Sequence, residues 1–204
     1  MCEADKNAST PNVDAGSKEV GSKKSGRRTI GLFYGSTTGT TAHIAERIRA
    51  KMEALGNVQV SIYDIGEYLL EDMTSFDCVI IGIPTWDVGQ LQSDWEEAYS
   101  EIDELDMSGT TIAIYGLGDQ VGYPDTFVDA MFLVVDRLRQ QGAKVVGAWP
   151  RIGYTFNQSW ALEGDQFVGL VLDEHTQSEM SEARLDRWLA QVWWEFGLDQ
   201  VEDE

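Results

Sequence analysis

From Thr29 almost to its end the chain alternates between strand-like and helix-like patterns, and this restricts its fold more than any other feature. Thr29–Tyr34 (TIGLFY), Cys78–Ile83 (CVIIGI) and Thr111–Gly116 (TIAIYG) are short runs, apolar almost throughout, of the kind a strand buried on both faces presents. Gln59–Asp64 alternates apolar and polar, and Lys144–Trp149 and Phe167–Leu172 complete the strand-like set. Between them, Thr41–Leu55 carries Ala42, Ile44, Ala45, Ile48 and Met52 at helical spacing. Asp94–Leu105 and Phe127–Gln141 also read as helices, the second closed by Gly142. Ser181–Phe196 is a terminal amphipathic helix with Ser181 placed as an N-cap and Gly197 beyond its end. Strands alternating with helices predict an α/β fold, a doubly wound parallel sheet with helices on both faces. Ligands of such sheets sit outside the carboxyl ends of the strands, which singles out the loops after the first, third and fourth strands.

The first of these loops is Gly35-Ser36-Thr37-Thr38-Gly39-Thr40-Thr41. A strand, a loop of small hydroxyl residues and a helix N-terminus together hold a phosphate: backbone N–H groups point at the anion, the helix dipole favours it, and hydroxyls add donors. The loop has no Lys or Arg and is not a Walker A sequence, so a monophosphate fits better than a magnesium-bound triphosphate. A Ser/Thr-rich helix cap without a ligand is the competing reading. The second loop, Pro84-Thr85-Trp86-Asp87-Val88-Gly89-Gln90-Leu91, brings Trp86 out at the carboxyl edge of the sheet, placed to cover a flat ring or else to fold under its own loop. The third, Gly116-Leu117-Gly118-Asp119-Gln120-Val121-Gly122-Tyr123-Pro124, has three glycines that admit a close ligand and a second aromatic, Tyr123. Two aromatics and a phosphate loop on one edge describe a site for a phosphorylated planar heterocycle.

Charge narrows the partners. The chain carries −20 overall, but the first 28 residues hold six basic and four acidic side chains, leaving −22 on the remaining 176. Such a surface repels nucleic acid and anionic membrane and is steered towards proteins with basic patches. No run approaches the roughly 18 apolar residues of a membrane span. Cys2 and Cys78 lie in a polar tail and a buried strand, a pair ill placed for a disulfide, which suits a cytoplasmic or stromal setting. Residues 1–28, rich in Ser, Gly and charge, read as a disordered extension without a secretory h-region; 29–198 form one domain and 199–204 an acidic tail. His43 and His175 are too scattered for a metal site, and Asp173-Glu174, although it resembles a carboxylate pair, reads as a solvated strand end. Trp188, Trp193 and Trp194 read as core and rim packing on the last helix, with a docking patch as the alternative for one of them. The acidic run Asp94–Asp106 reads as a solvated helix face or a reductase docking surface.

The segments GLFYGSTTGTTAHIAERI, IPTWDVGQLQSDWE, YGLGDQVGYPDTFVDA and FVGLVLDEHTQSE resemble the long-chain flavodoxins in order, spacing and strand context, from about Thr29 to Leu198. The resemblance implies a flavodoxin-like five-stranded sheet of order 2-1-3-4-5 whose last strand is split by the irregular segment 150–166. It implies one non-covalent FMN. Ser36, Thr38 and Thr41 would supply hydroxyls to its phosphate beside the N–H groups of Thr37, Gly39 and Thr40. Trp86 and Tyr123 would cover the two ring faces, with Pro84, Thr85 and Gly89 framing the Trp86 loop. The Asp87–Val88 peptide would face flavin N5, and Leu117, Gly118 and Asp119 the pyrimidine end. Thr40 stands where many relatives carry Lys, and Asp87 where Asn or Gly is common. The implied function is a low-potential, one-electron carrier working between semiquinone and hydroquinone, a monomer serving an NAD(P)H-dependent flavodoxin or ferredoxin reductase and acceptor redox proteins. An FMN-dependent NAD(P)H:quinone oxidoreductase and a phosphoacceptor receiver share the fold. The former needs room above the ring for a nicotinamide; the latter needs an acidic pocket where this chain has hydroxyls.

Overall fold

A computed structural model describes residues 28–199. The extension expected over 1–28 and the tail over 199–204 fall outside the described residues except at their edges: Arg28 opens the first strand and Asp199 closes the final turn.

The apolar runs form the centre of one sheet. Strand β1 (Arg28–Tyr34) lies between β2 (Val58–Asp64) and β3 (Cys78–Trp86), with Leu32 level with Ile62 on one side and Ile80 on the other. β3 then pairs with β5 (Thr111–Leu117), and all these pairings are parallel. A short β4 (Gln90–Leu91) returns antiparallel on the end of β3. The outer edge of β5 is shared: β6 (Lys144–Val146) runs beside Thr111–Ala113, and β10 (Leu170–Leu172) beside Tyr115–Leu117, both parallel to it. The order is thus the expected 2-1-3-4-5, with the fifth strand in two pieces. Between the pieces, β7 (Trp149–Pro150), β8 (Leu162–Glu163) and β9 (Gln166–Phe167) make a separate antiparallel sheet in the order 7-9-8.

Ile30, Leu32, Val79, Ile80, Ile81, Ile112, Ala113 and Ile114 are all fully buried, which requires cover on both faces. Helix α1 (Thr40–Leu55) packs on β1, β2 and β3 and meets the terminal helix α4 (Ser181–Glu195). Helix α3 (Asp129–Gln140) lies on β3 and β5. It packs beside the Tyr99–Glu104 turn, which in turn touches Leu70–Ser75.

Several boundaries differ from the sequence reading for identifiable reasons. The helix expected over Asp94–Leu105 is a six-residue α2 (Ser93–Ala98) that tightens into a 3-10 turn, where Arg137 from α3 donates to Tyr99 O and Asp103. The helix expected from Phe127 starts at Asp129, because Val128 takes a left-handed φ of 54°. Ser181 does not cap α4: a 3-10 turn over Ser178–Met180 runs straight into the helix, and the Ser181 hydroxyl bonds Glu174 instead. The strand expected over Lys144–Trp149 breaks at Gly147, whose carbonyl accepts from Trp188 Nε1 at 2.8 Å. The strand expected over Phe167–Leu172 breaks at Gly169, where a Cβ would sit 2.9 Å from the carbonyl carbon of Ile114 and nearer still to its oxygen. Only a glycine allows the chain to pass the backbone of β5 that closely.

Candidate functional site

Every suspected loop emerges at the carboxyl edge of the sheet, and direct bonds hold them together. Gly35 N donates to Gly82 O on β3, Gln92 Nε2 reaches across to Thr37 Oγ1 at 3.1 Å, and Gly118 N donates to Leu172 O. Ala130 N, in the first turn of α3, donates to Thr85 Oγ1 at 3.3 Å, tying the second loop to the helix that follows the third.

The first loop is built as an anion cradle. Gly39, at φ +85°, turns the chain into α1, and Ser36 Oγ accepts from Gly39 N at 3.1 Å. Of the N–H groups from Gly35 to Thr41, only those of Gly35 and Gly39 find acceptors among the described residues. The N–H groups of Ser36, Thr37, Thr38, Thr40 and Thr41 are left at a helix N-terminus, a donor set that an anion satisfies. Thr38 Oγ1 and Thr40 Oγ1 lie 3.3 Å apart on the exposed rim. Thr41 is buried beneath them, its carbonyl held at 2.9 Å by the hydroxyl of Tyr115 from β5. Burial in the sheet pushes the Tyr115 phenol far above its ordinary pKa, so it remains a donor at any working pH.

The second loop is tighter than the sequence suggested. Pro84, Thr85 and Trp86 belong to β3, and Trp86 pairs with Gln90, so only Asp87, Val88 and Gly89 make the turn. Asp87 holds φ +43°, uncommon for a residue with a side chain, and Gly89 holds φ +89°. Trp86 is 37% exposed and Val88 69%; neither the carbonyl of Asp87 nor the N–H of Val88 bonds a described residue.

The third loop folds on itself. Asp119 Oδ1 accepts from Val121 N at 3.0 Å and Gly122 N at 2.7 Å, and Tyr123 N donates back to Asp119 O. Leu117 is buried, Gly118 and Asp119 are half-buried, and Tyr123 stands 46% exposed. All sixteen sequence-nominated residues therefore lie on these three neighbouring loops or at their roots. Trp86 and Tyr123 are the large aromatics left open there, available to a flat ligand beside the cradle.

Two further groups matter that the sequence reading did not assign to the site. Gln92 is 1% exposed; besides Thr37, its Nε2 meets Ser93 Oγ at 3.2 Å and Asp94 Oδ2 at 2.6 Å, fixing the back of the cradle. Asp173, expected at a solvated strand end, has no exposed surface and accepts hydrogen bonds from Gln120, His175 and Thr176. An Asp followed three residues later by Thr signals the self-bonded turn with His175 and Thr176, but nothing local signals the bonds from Gln120. His43 and His175 are exposed, and no group of described residues is arranged to hold a metal. Among described residues no helix is long and apolar enough to cross a membrane.

The model of the flavodoxin family matches residues 32–188. A flavodoxin of Nostoc sp. (strain PCC 7120) is 46% identical over 169 residues, covering 83% of this chain and 98% of that protein. Flavodoxin 2 of Escherichia coli K12 is 41% identical over 165 residues, covering 80% and 94%. In three dimensions the chain is similar to the Fusobacterium nucleatum flavodoxin solved bound to flavin mononucleotide, with a TM-score of 0.78 at 27% identity over 83% of this chain and 99% of that one. Sheet order, the divided fifth strand, the cradle and these likenesses agree: the chain belongs to the flavodoxin family.

Proposed function

We propose that this protein binds one FMN in the three-loop site and carries single electrons between redox proteins. The observation that carries the proposal is the cradle Gly35–Thr41, whose unpaired N–H groups sit at the start of α1 beside two half-open aromatic rings. It accepts a phosphate with neutral donors alone, and the rings supply faces for a heterocycle.

Bound FMN supplies the one-electron chemistry; the chain sets how readily each electron is taken. Thr37, held by Gln92, and Ser36, held by Gly39, keep the phosphate donors in place before the ligand arrives. Trp86 and Tyr123, both part-exposed, would cover the ring and exclude water, and Leu117, Gly118 and Asp119 would line its pyrimidine end. The Asp87–Val88 peptide, bonded to no other described residue, would be free to turn its carbonyl towards a donor on the ring of bound FMN. A further negative charge is disfavoured, because it enters a dry site in a domain that carries −22. At ~59 mV per roughly 1.4 kcal/mol for one electron, a few kcal/mol of repulsion lowers the second potential by more than about 100 mV. The same acidity directs docking to partners with basic patches, a flavodoxin or ferredoxin reductase on one side and acceptor proteins on the other. The setting that suits this role is the cytoplasm or a plastid stroma.

Anaerobic photoreduction of the FMN-loaded protein, followed by visible spectroscopy, tests the reading. The expected result is a long-wavelength band of one-electron-reduced flavin that rises and then bleaches. Direct bleaching without that band favours the quinone oxidoreductase, and failure to take up FMN removes the proposal altogether.

A further inference from the structure

Asp173 follows β10 and is fully buried, yet none of its hydrogen-bond donors is a cation. Oδ1 accepts from His175 N at 3.0 Å and Thr176 N at 2.9 Å; Oδ2 accepts from Gln120 N at 3.1 Å, Gln120 Nε2 at 2.9 Å and Thr176 Oγ1 at 2.6 Å. Burial alone would raise its pKa, but these donors outweigh it and hold the group below the ordinary carboxylate range, so it is ionised. A buried charge whose donors are all neutral is expensive. Its position suggests what it holds.

Gln120 belongs to the third loop, adjoining Asp119 and three residues before Tyr123. Its other amide atom, Oε1, accepts from Thr155 N at 2.6 Å, within the segment that divides the fifth strand. That segment grips the far end of the same loop: Asn157 N and Gln158 N donate to Pro124 O at 2.8 and 3.1 Å, and Asn157 Nδ2 to Asp125 Oδ1 at 2.8 Å. The loop bearing Tyr123 is thus clamped at Gln120 and at Pro124, and the first clamp hangs on Asp173.

We propose that Asp173 is a positioning residue for the cofactor: through Gln120 it makes the inserted segment a brace for the Leu117–Pro124 loop, and so sets FMN affinity and the potential of bound flavin. The inference rests on the FMN reading given above. Asp173→Asn removes the charge and turns an N–H₂ group towards donors that have no use for it, so the loop loses its anchor although the residue's volume is kept. Gln120→Ala keeps the carboxylate but cuts the link to Thr155.

The test compares the wild-type chain with both variants and with Val192→Ala, a core truncation on α4 that lowers stability without entering the clamp. Four quantities are read: the melting temperature, amide hydrogen exchange of residues 119–123 and 155–158 without FMN, the dissociation constant for FMN, and the one-electron potentials of the loaded protein. Asp173→Asn and Gln120→Ala are expected to speed exchange in both segments and weaken FMN binding about tenfold, the equivalent of one anchored hydrogen bond. Asp173→Asn should also make the second potential less negative, while Val192→Ala lowers the melting temperature alone. Unchanged exchange in Asp173→Asn, or faster exchange with affinity and potentials like those of the wild type, overturns the proposal. If the wild-type protein takes up no FMN, the functional reading fails by itself, and the exchange data still decide whether Asp173 anchors the loop.

Discussion

Replacing Gly82 with alanine tests how the sheet holds the cradle in place. Gly82 lies in β3 level with Tyr115 of β5, and the Tyr115 ring crosses it so that the hydroxyl can reach Thr41 O in the first turn of α1. A Cβ at 82 would sit 2.8 Å from Tyr115 Cε1 and closer to its Cζ and hydroxyl oxygen, and Tyr115, with no exposed surface, has nowhere to retreat. Overpacking of this kind costs about 1–3 kcal/mol. The displaced hydroxyl forfeits about 1 kcal/mol more. For a domain of this size a loss of about 2–4 kcal/mol lowers the melting temperature by roughly 4–16 °C. Tyr115→Phe alone removes only the hydroxyl bond, about 1 kcal/mol or roughly 2–4 °C. In the double variant the two losses overlap, so its cost falls short of their sum, a coupling that thermal melts of the four proteins measure directly. If FMN binds as proposed, titration should show weaker binding in Gly82→Ala, since the first turn of α1 would carry the phosphate donors. A Gly82→Ala protein melting within about 2 °C of the wild type, or strictly additive effects, would refute the claim that Tyr115 is wedged against Gly82 to hold Thr41.

Thr40→Lys places a cation at the first residue of α1, beside the cradle; FMN should bind more tightly by titration. The ligand-free protein should be less stable by about 0.3–1 kcal/mol, because a positive charge at a helix N-terminus opposes the dipole. Burial pushes the Cys78 thiol up to about 11, so iodoacetamide at pH 8 should leave Cys78 unmodified in the native protein and label it after denaturation, as mass spectrometry of the peptides would show. Hydrogen bonds from Lys51 and Arg47 hold Glu182 down to about 2, below its unfolded value. Its contribution is therefore present above about pH 4.3, the ordinary glutamate value, and is lost as pH falls through about 2. Glu182→Gln should melt slightly below the wild type at pH 6 and converge with it near pH 2. The gap at pH 6 is small and shrinks with added salt, since the side chain is 59% exposed.

What could be read from the sequence was local, and what could not be read depended on distant partners. Ile30–Phe33, Val79–Ile83 and Ile112–Tyr115 announce buried strands in their own composition, and Gly35–Thr41 carries its anion chemistry within seven consecutive residues. The break in the acidic helix after Ala98 depends on Arg137, which binds Tyr99 O and Asp103 from α3. Ser181 has the chemistry of an N-cap, but Glu174 takes its hydroxyl. The largest error, Asp173, follows the same rule. An aspartate after an apolar strand reads as the point where the chain returns to solvent, and its own turn with His175 and Thr176 fits that reading. The partner that buries it is Gln120, fifty-three residues earlier, whose amide meets Asp173 with one end and Thr155 with the other. A buried carboxylate with neutral donors departs from the local rule that charges face water, and departures of this kind concentrate where a fold serves something besides its own stability. Here the departure lies at the end of β10 beside the loop that carries Tyr123, where the link through Gln120 to Thr155 gives the buried charge the bracing role proposed for it.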